Sequence, residues 1–189
     1  MRLGILGGSF DPPHLGHLLV ASDACEALSL DRLLFVPAGT QPLKAARPTT
    51  APALRLEMVR RLAGDDPRFG VDDIEIQRPG LSYTVDTLTE FAERWPTATR
   101  FFLAGTDVLQ SFGQWRDPER IRSLATLVLL QRSDATGSTP SEADWMRLST
   151  RRIDISSTEV RERVRTGRSI RGFVPAAVAE LIAAERLYR

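Results

Sequence analysis

The apolar stretch RLGIL runs straight into GGSFDPPHLGH, residues 7–17, and this junction restricts the fold more than any other part of the chain. An apolar run that short suits a buried strand and is too short for a helix. Gly7 and Gly8 follow it directly, so the backbone can approach a ligand with no side chain in the way. Pro12 and Pro13 then stiffen the turn, and a helix begins in which Leu18, Ala21, Cys25 and Leu28 share one face. Strand, glycine turn and helix in immediate succession open a βαβ unit, the building block of parallel sheets.

The alternation continues. RLLFV is a second strand that stops at Pro37, and a loop without a packing pattern extends to Pro52. Leu54, Met58 and Leu62 are four apart and predict a helix; residues 69–77 look extended, with a turn at Arg78, Pro79 and Gly80. From Thr84 a helix buries Val85, Leu88, Ala92 and Trp95 and is stopped by Pro96. The strand RFFLA, the segment GTDVLQSFGQW, a short helix over 118–124 and the strand ATLVLLQ follow. Residues 133–144 read as a polar surface loop, RIDI as a short strand, and SSTEVRERVR as a helix with Ser156 and Glu159 spaced as a capping box. Gly167 ends that helix, and a last one from Pro175 buries Val178, Leu181 and Ile182.

This order predicts an α/β fold, a doubly wound and mainly parallel sheet in a single domain over 1–189, with a small helical part from about 156 to the end. Ligands of such sheets bind beyond the carboxyl ends of the strands. The polar motifs stand there, after RLGIL, after RFFLA and after RIDI.

Composition removes other classes. The 25 basic and 24 acidic residues leave a net charge of +1, so no global field recruits nucleic acid or an anionic membrane, and any anion must be held locally. Cys25 is the only cysteine, which excludes an internal disulfide and a cysteine-rich metal site. No apolar run is long enough to cross a bilayer. A cytoplasmic protein is expected, a monomer or a homo-oligomer, working on small molecules.

His14 and His17 are three residues apart at a helix start and can point the same way. A helix start also offers unpaired N–H groups and positive partial charge, so the motif reads as a phosphate cradle with two imidazole donors. The plainer alternative is a tight turn carrying two surface histidines. A metal held by the pair would need a third ligand, and none is supplied nearby, so no protein metal site is expected.

GGSFDPPHLGH resembles the HxGH signature of the nucleotidylyltransferase superfamily, in the form found in bacterial nicotinate-nucleotide adenylyltransferases. SYTVDTL at 82–88, GTDVLQSFGQW at 105–115 and ISSTEVR at 155–161 resemble further elements of that family in the same order. The resemblance implies a Rossmann-like fold and transfer of AMP from ATP to nicotinic acid mononucleotide, giving nicotinic acid adenine dinucleotide and pyrophosphate. It further implies that Gly7, Gly8, Ser9 and Phe10 line the nucleotide site while His14 and His17 hold the ATP phosphates. Ser156 and Ser157 approach the ATP in the family pattern. Where the family usually reads PPHK, this chain has QPLK, so Leu43 replaces a histidine and Lys44 keeps a charge.

The same residues also have physical readings of their own. Tyr83 and Thr84 open a helix whose N–H groups could bind a carboxylate such as that of nicotinic acid; the alternative is capping by Ser82 or Thr84. Trp115 can stack on a pyridine ring or sit in the core. Asp107, after Gly105 at a strand end, can meet a ribose hydroxyl or a hydrated metal, or be a solvated loop acid. Arg161 can hold the departing phosphates with its fork or lie on an exposed helix face.

No activated nucleophile is evident, and AMP transfer needs none, because the attacking phosphate is already ionised. What it needs is alignment and relief of charge, from His14, His17, Lys44, Arg161 and a Mg2+ carried by ATP. Neither the P-loop string of a kinase nor the GxGxxG of a dehydrogenase occurs. The rivals that remain are a related adenylyltransferase acting on nicotinamide mononucleotide or phosphopantetheine, the latter family usually having Thr where His14 stands, and a nucleotide sensor without catalysis.

Overall fold

Among the described residues six strands form one sheet in the order β3-β2-β1-β4-β5-β6, every neighbouring pair parallel. The computed structural model describes residues 1–40, 49–132, 145–151 and 153–189. The strands are β1 (Arg2–Gly8), β2 (Arg32–Pro37), β3 (Phe69–Val71), β4 (Thr99–Gly105), β5 (Thr126–Arg132) and β6 (Met146–Thr150). The helices are α1 (Leu15–Ala27), α2 (Pro52–Ala63), α3 (Ile74–Gln77), α4 (Thr84–Arg94), α5 (Pro118–Leu124), α6 (Ser157–Arg165) and α7 (Ala176–Ala184).

The central strands are apolar throughout because both sheet faces are covered. Alternate residues go to opposite layers. Leu33, Phe35, Phe101 and Leu103 join a core with Ala24 of α1, Met58 of α2, Val160 of α6 and Val178 of α7. Leu34, Val36, Phe102 and Ala104 join the other, with Val85, Leu88 and Phe91 of α4 and Ile121 of α5. The predicted doubly wound sheet is therefore present, and it is parallel at every pairing. Cys25 is buried in the first layer, where desolvation pushes its thiol up to about 11, so it holds no thiolate near neutrality.

Two expected strands are corrected. The extended reading of 69–77 holds only to Val71, which pairs with Phe35; the Asp72 carboxylate then accepts from the Ile74 N–H at 3.1 Å and the chain turns into α3. The alternation of IEIQ imitated a strand, but no partner continues beside it. RIDI is likewise no strand: residues 153–156 are irregular, and β6 lies earlier, ending where its Thr150 faces Arg132, the last residue of β5. The expected loop at 133–144 and the QPLK stretch fall outside the described residues.

Candidate active site

β1 and β4 are adjacent in the sheet although not consecutive in the chain, so the crossovers leave in opposite directions and open a crevice at their carboxyl ends. A cavity of about 1140 Å³ occupies it. Its wall carries Gly7 to Phe10 at the end of β1 and just beyond it, His14 at the cap of α1 and His17 on it, Gly105 at the end of β4 with Asp107 beyond, and Ser157 and Arg161 on α6. Among the described residues a Cβ at Gly7 would meet nothing within 4 Å, so its backbone faces the cavity there. Phe10 has φ of 49° and is almost fully buried, its ring 5.0 Å from that of His17 and 6.0 Å from Phe35. The aromatic side chain is thus an anchor that bends the turn.

The HLGH spacing has a geometric cause. His14 stands at the helix cap and its N–H donates to Nδ1 of His17 at 3.1 Å, with the ring centroids 3.8 Å apart. A Cβ on Gly16 would lie 2.9 Å from Nδ1 of His14, so a larger residue between the histidines would push the rings apart. Because Nδ1 of His17 accepts, its proton resides on Nε2. Burial lowers His14 to about 4 and, with repulsion from His14 added, His17 to about 3. Both rings are neutral near pH 7, so they offer N–H donors and no positive charge. Nδ1 of His14 is buried without a partner among the described residues.

Under the turn lies a polar cluster absent from the sequence reading. Asp11 is buried; Oδ1 accepts from the Tyr188 hydroxyl at 2.6 Å, Oδ2 from the Thr50 N–H at 3.1 Å, and its main-chain oxygen from Nη1 of Arg161 at 2.7 Å. Arg55, only 2% exposed, donates to the carbonyls of Thr50 and Ser9, and burial lowers its pKa. Ser157 donates to the Pro12 carbonyl at 2.8 Å, and the Leu15 N–H to the Phe173 carbonyl at 2.8 Å, so the segments around α6 and before α7 brace the motif.

The model of the cytidylyltransferase-like family matches residues 5–163. A Gemmatimonas aurantiaca protein named probable nicotinate-nucleotide adenylyltransferase is 51% identical over 100% of this chain and 93% of its own length. Its namesake in Thermus thermophilus is 45% identical, with 100% of both chains covered. This chain belongs to the nicotinate-nucleotide adenylyltransferase family. Its fold is also that of the Plasmodium falciparum nicotinic acid mononucleotide adenylyltransferase solved with NaAD, at a TM-score of 0.83 and 18% identity over 99% of this chain and 97% of the other.

Within the adenylyltransferase cavity the histidine motif, Gly105, Asp107, Ser157 and Arg161 converge, while other expected residues stand apart from its wall. Ser156 caps α6, accepting from the Glu159 N–H at 3.1 Å. Tyr83, Thr84 and Trp115 are not on the wall. Trp115 packs edge-on to Phe102 at 5.9 Å and beside Phe112 at 5.5 Å. Tyr83 lies under the Arg116 guanidinium at 5.0 Å, a cation that sequence reasoning passed over. The alternative of capping by Ser82 or Thr84 is not realised: no side chain of the described residues caps α4, and the Ser82 hydroxyl donates to the Glu75 carbonyl. Lys44 lies outside the described residues.

No group of three or more His, Cys, Asp and Glu side chains suited to a metal occurs among the described residues. Asp107 is an exposed carboxylate on the cavity wall, whereas Asp11 is consumed by its partners. That donor set fits a magnesium ion carried mainly by phosphate oxygens and water, which needs only one or two carboxylates. No helix of the described residues is long and apolar enough to cross a membrane.

Proposed function

We propose that this family member transfers AMP from ATP to nicotinic acid mononucleotide, giving nicotinic acid adenine dinucleotide and pyrophosphate, in the cytoplasm. The observation that carries the reading is the convergence of the open Gly7 backbone, two neutral imidazoles and the Arg161 fork on one cavity at the switch point of the sheet.

A phosphate oxygen of the mononucleotide attacks the α phosphorus, the bond from that phosphorus to the bridging oxygen breaks, and pyrophosphate departs with the electron pair. No proton has to move. His17, through its Nε2–H, and His14 donate to the phosphates, which suits neutral rings, since orientation is set without a desolvated cation. Arg161 uses part of its guanidinium on Asp11 and Thr158, and its remaining N–H groups hold the departing phosphates. Gly7 to Phe10 and Ser157 line the nucleotide, Gly105 and Asp107 meet the ribose or the hydrated metal, and Ser156 contributes by holding the start of α6. Lys44 adds charge from the QPLK loop. Asp107 is the residue that would meet a magnesium ion brought with ATP, and that ion would supply charge neutralisation to the phosphates.

The acceptor's carboxylate is assigned to the uncapped start of α4, where the Thr84 amide and the Tyr83 and Arg116 pair stand, with Trp115 beside the ring. Incubation with ATP, magnesium and each candidate acceptor tests this. Pyrophosphate release with nicotinic acid mononucleotide well above that with its amide is expected. Equal turnover of the two defeats the carboxylate assignment, and tight nucleotide binding without release would make the protein a sensor.

A further inference from the structure

From the 2.6 Å bond between the Tyr188 hydroxyl and Asp11 we infer that Tyr188, at the far end of the chain, is a positioning residue for AMP transfer, setting Arg161 through Asp11. The inference rests on the function proposed above. The phenol and Asp11 are separated by 177 residues in sequence, yet Tyr188 also lies on the cavity wall. The contact is selective. Asp11 is gripped on one carboxylate oxygen by Tyr188 and on the other by the Thr50 N–H, so its side chain cannot rotate, and its main-chain oxygen is left facing Nη1 of Arg161 at 2.7 Å. The Thr50 side chain also hydrogen-bonds the phenol, and the buried Arg55 holds the Thr50 and Ser9 carbonyls, so the partners of Asp11 are themselves held in place.

Tyr188 has φ of 62°, a conformation that a non-glycine residue adopts at some cost and that the surroundings must enforce. The hydroxyl touches no substrate in this scheme. Its effect reaches the reaction through the direction of the Arg161 fork, which matters most when charge accumulates on the departing pyrophosphate. Loss of the hydroxyl therefore falls on kcat rather than on acceptor KM.

The test is Tyr188→Phe, which keeps the ring and its packing. Losing a hydrogen bond to a carboxylate predicts a fall in kcat of about tenfold or more, with acceptor KM within about twofold and Tm within a few degrees of native. Inorganic pyrophosphate, titrated calorimetrically, binds about tenfold more weakly to the variant. Asp11→Asn combined with Tyr188→Phe costs no more than the worse of the two alone, because both break one chain of contacts. Native kcat in Tyr188→Phe, a protein that fails to fold, or additive effects in the double variant would each overturn the inference. Should the native protein release no pyrophosphate while Tyr188→Phe still weakens pyrophosphate binding, the positioning stands and the assigned reaction is what fails.

Discussion

The two ends of the candidate site are built differently. The turn at 7–17, one side of the proposed phosphate end, makes its own geometry from residues close in sequence: glycine for access, Phe10 as anchor, Gly16 to let two tilted rings lie close. At the proposed acceptor end Tyr83 and Thr84 open α4 while Trp115 follows β4, and Tyr83 and Trp115 rest on the second core, with Phe102, Phe112 and Arg116 against them. The turn at 7–17 is encoded locally, and the start of α4 with Trp115 is set by packing. Substitutions at the first should act on turnover, and at the second on acceptor affinity and stability together.

The largest effect expected is from chelation. Removing magnesium with a chelator abolishes pyrophosphate release and leaves Tm unchanged, since no protein metal cluster supports the described fold. A melting shift of several degrees would instead reveal a structural metal. Next, His17→Ala lowers kcat by on the order of a hundredfold to a thousandfold while circular dichroism stays native. Retention of most turnover would remove the imidazole from the phosphate end. Arg161→Lys keeps the charge and loses the fork, and a fall of about tenfold or more in kcat follows, with acceptor KM little changed.

Trp115→Phe probes the other end. A several-fold rise in acceptor KM is expected, with ATP KM unchanged and Tm a few degrees lower, because the half-buried indole packs on Phe102 and Phe112. A drop in Tm with unchanged KM would leave Trp115 a core residue only.

The smallest effect is the pH dependence of stability. His14 and His17 sit at about 4 and about 3 in the folded chain against an ordinary 6.5, so below pH 6.5 the unfolded chain binds more protons. Their contribution is complete above pH 6.5 and is lost as pH falls toward the folded values. Glu75, raised mainly by burial, acts in the opposite sense, favouring the fold when protonated and losing that contribution as pH rises. Urea denaturation of native protein and His14→Gln at neutral and mildly acid pH should show the smaller pH slope in the variant; equal slopes would mean the rings are not buried neutral.

The same distinction explains what could be read in advance. The βαβ alternation, the strands from β1 to β5 other than the tail of β3, and the helix faces follow from apolar runs and periodicity, which are local signals. IEIQ and RIDI misled because alternation shows that a segment could pair, and pairing needs a neighbouring strand that only the tertiary structure supplies. The turn at 7–17 between a strand and a helix was legible. Arg55 and Tyr188 were not: each looks like an ordinary charged or polar residue in an amphipathic stretch, and only contact with Asp11, Thr50 and Ser9 gives it a role. Asp11 lay inside the motif, and its setting between two prominent groups was the available hint.

The central claim is that the cavity breaks ATP between its α and β phosphates while an acceptor phosphate takes the adenylyl group. Supplying ATP radiolabelled at the α phosphate, and in a parallel reaction at the γ phosphate, with nicotinic acid mononucleotide and magnesium reads this directly. The account predicts all transferred α label in the dinucleotide and all released γ label in pyrophosphate. Transfer of γ label to the acceptor, or labelled ATP recovered intact, would contradict it.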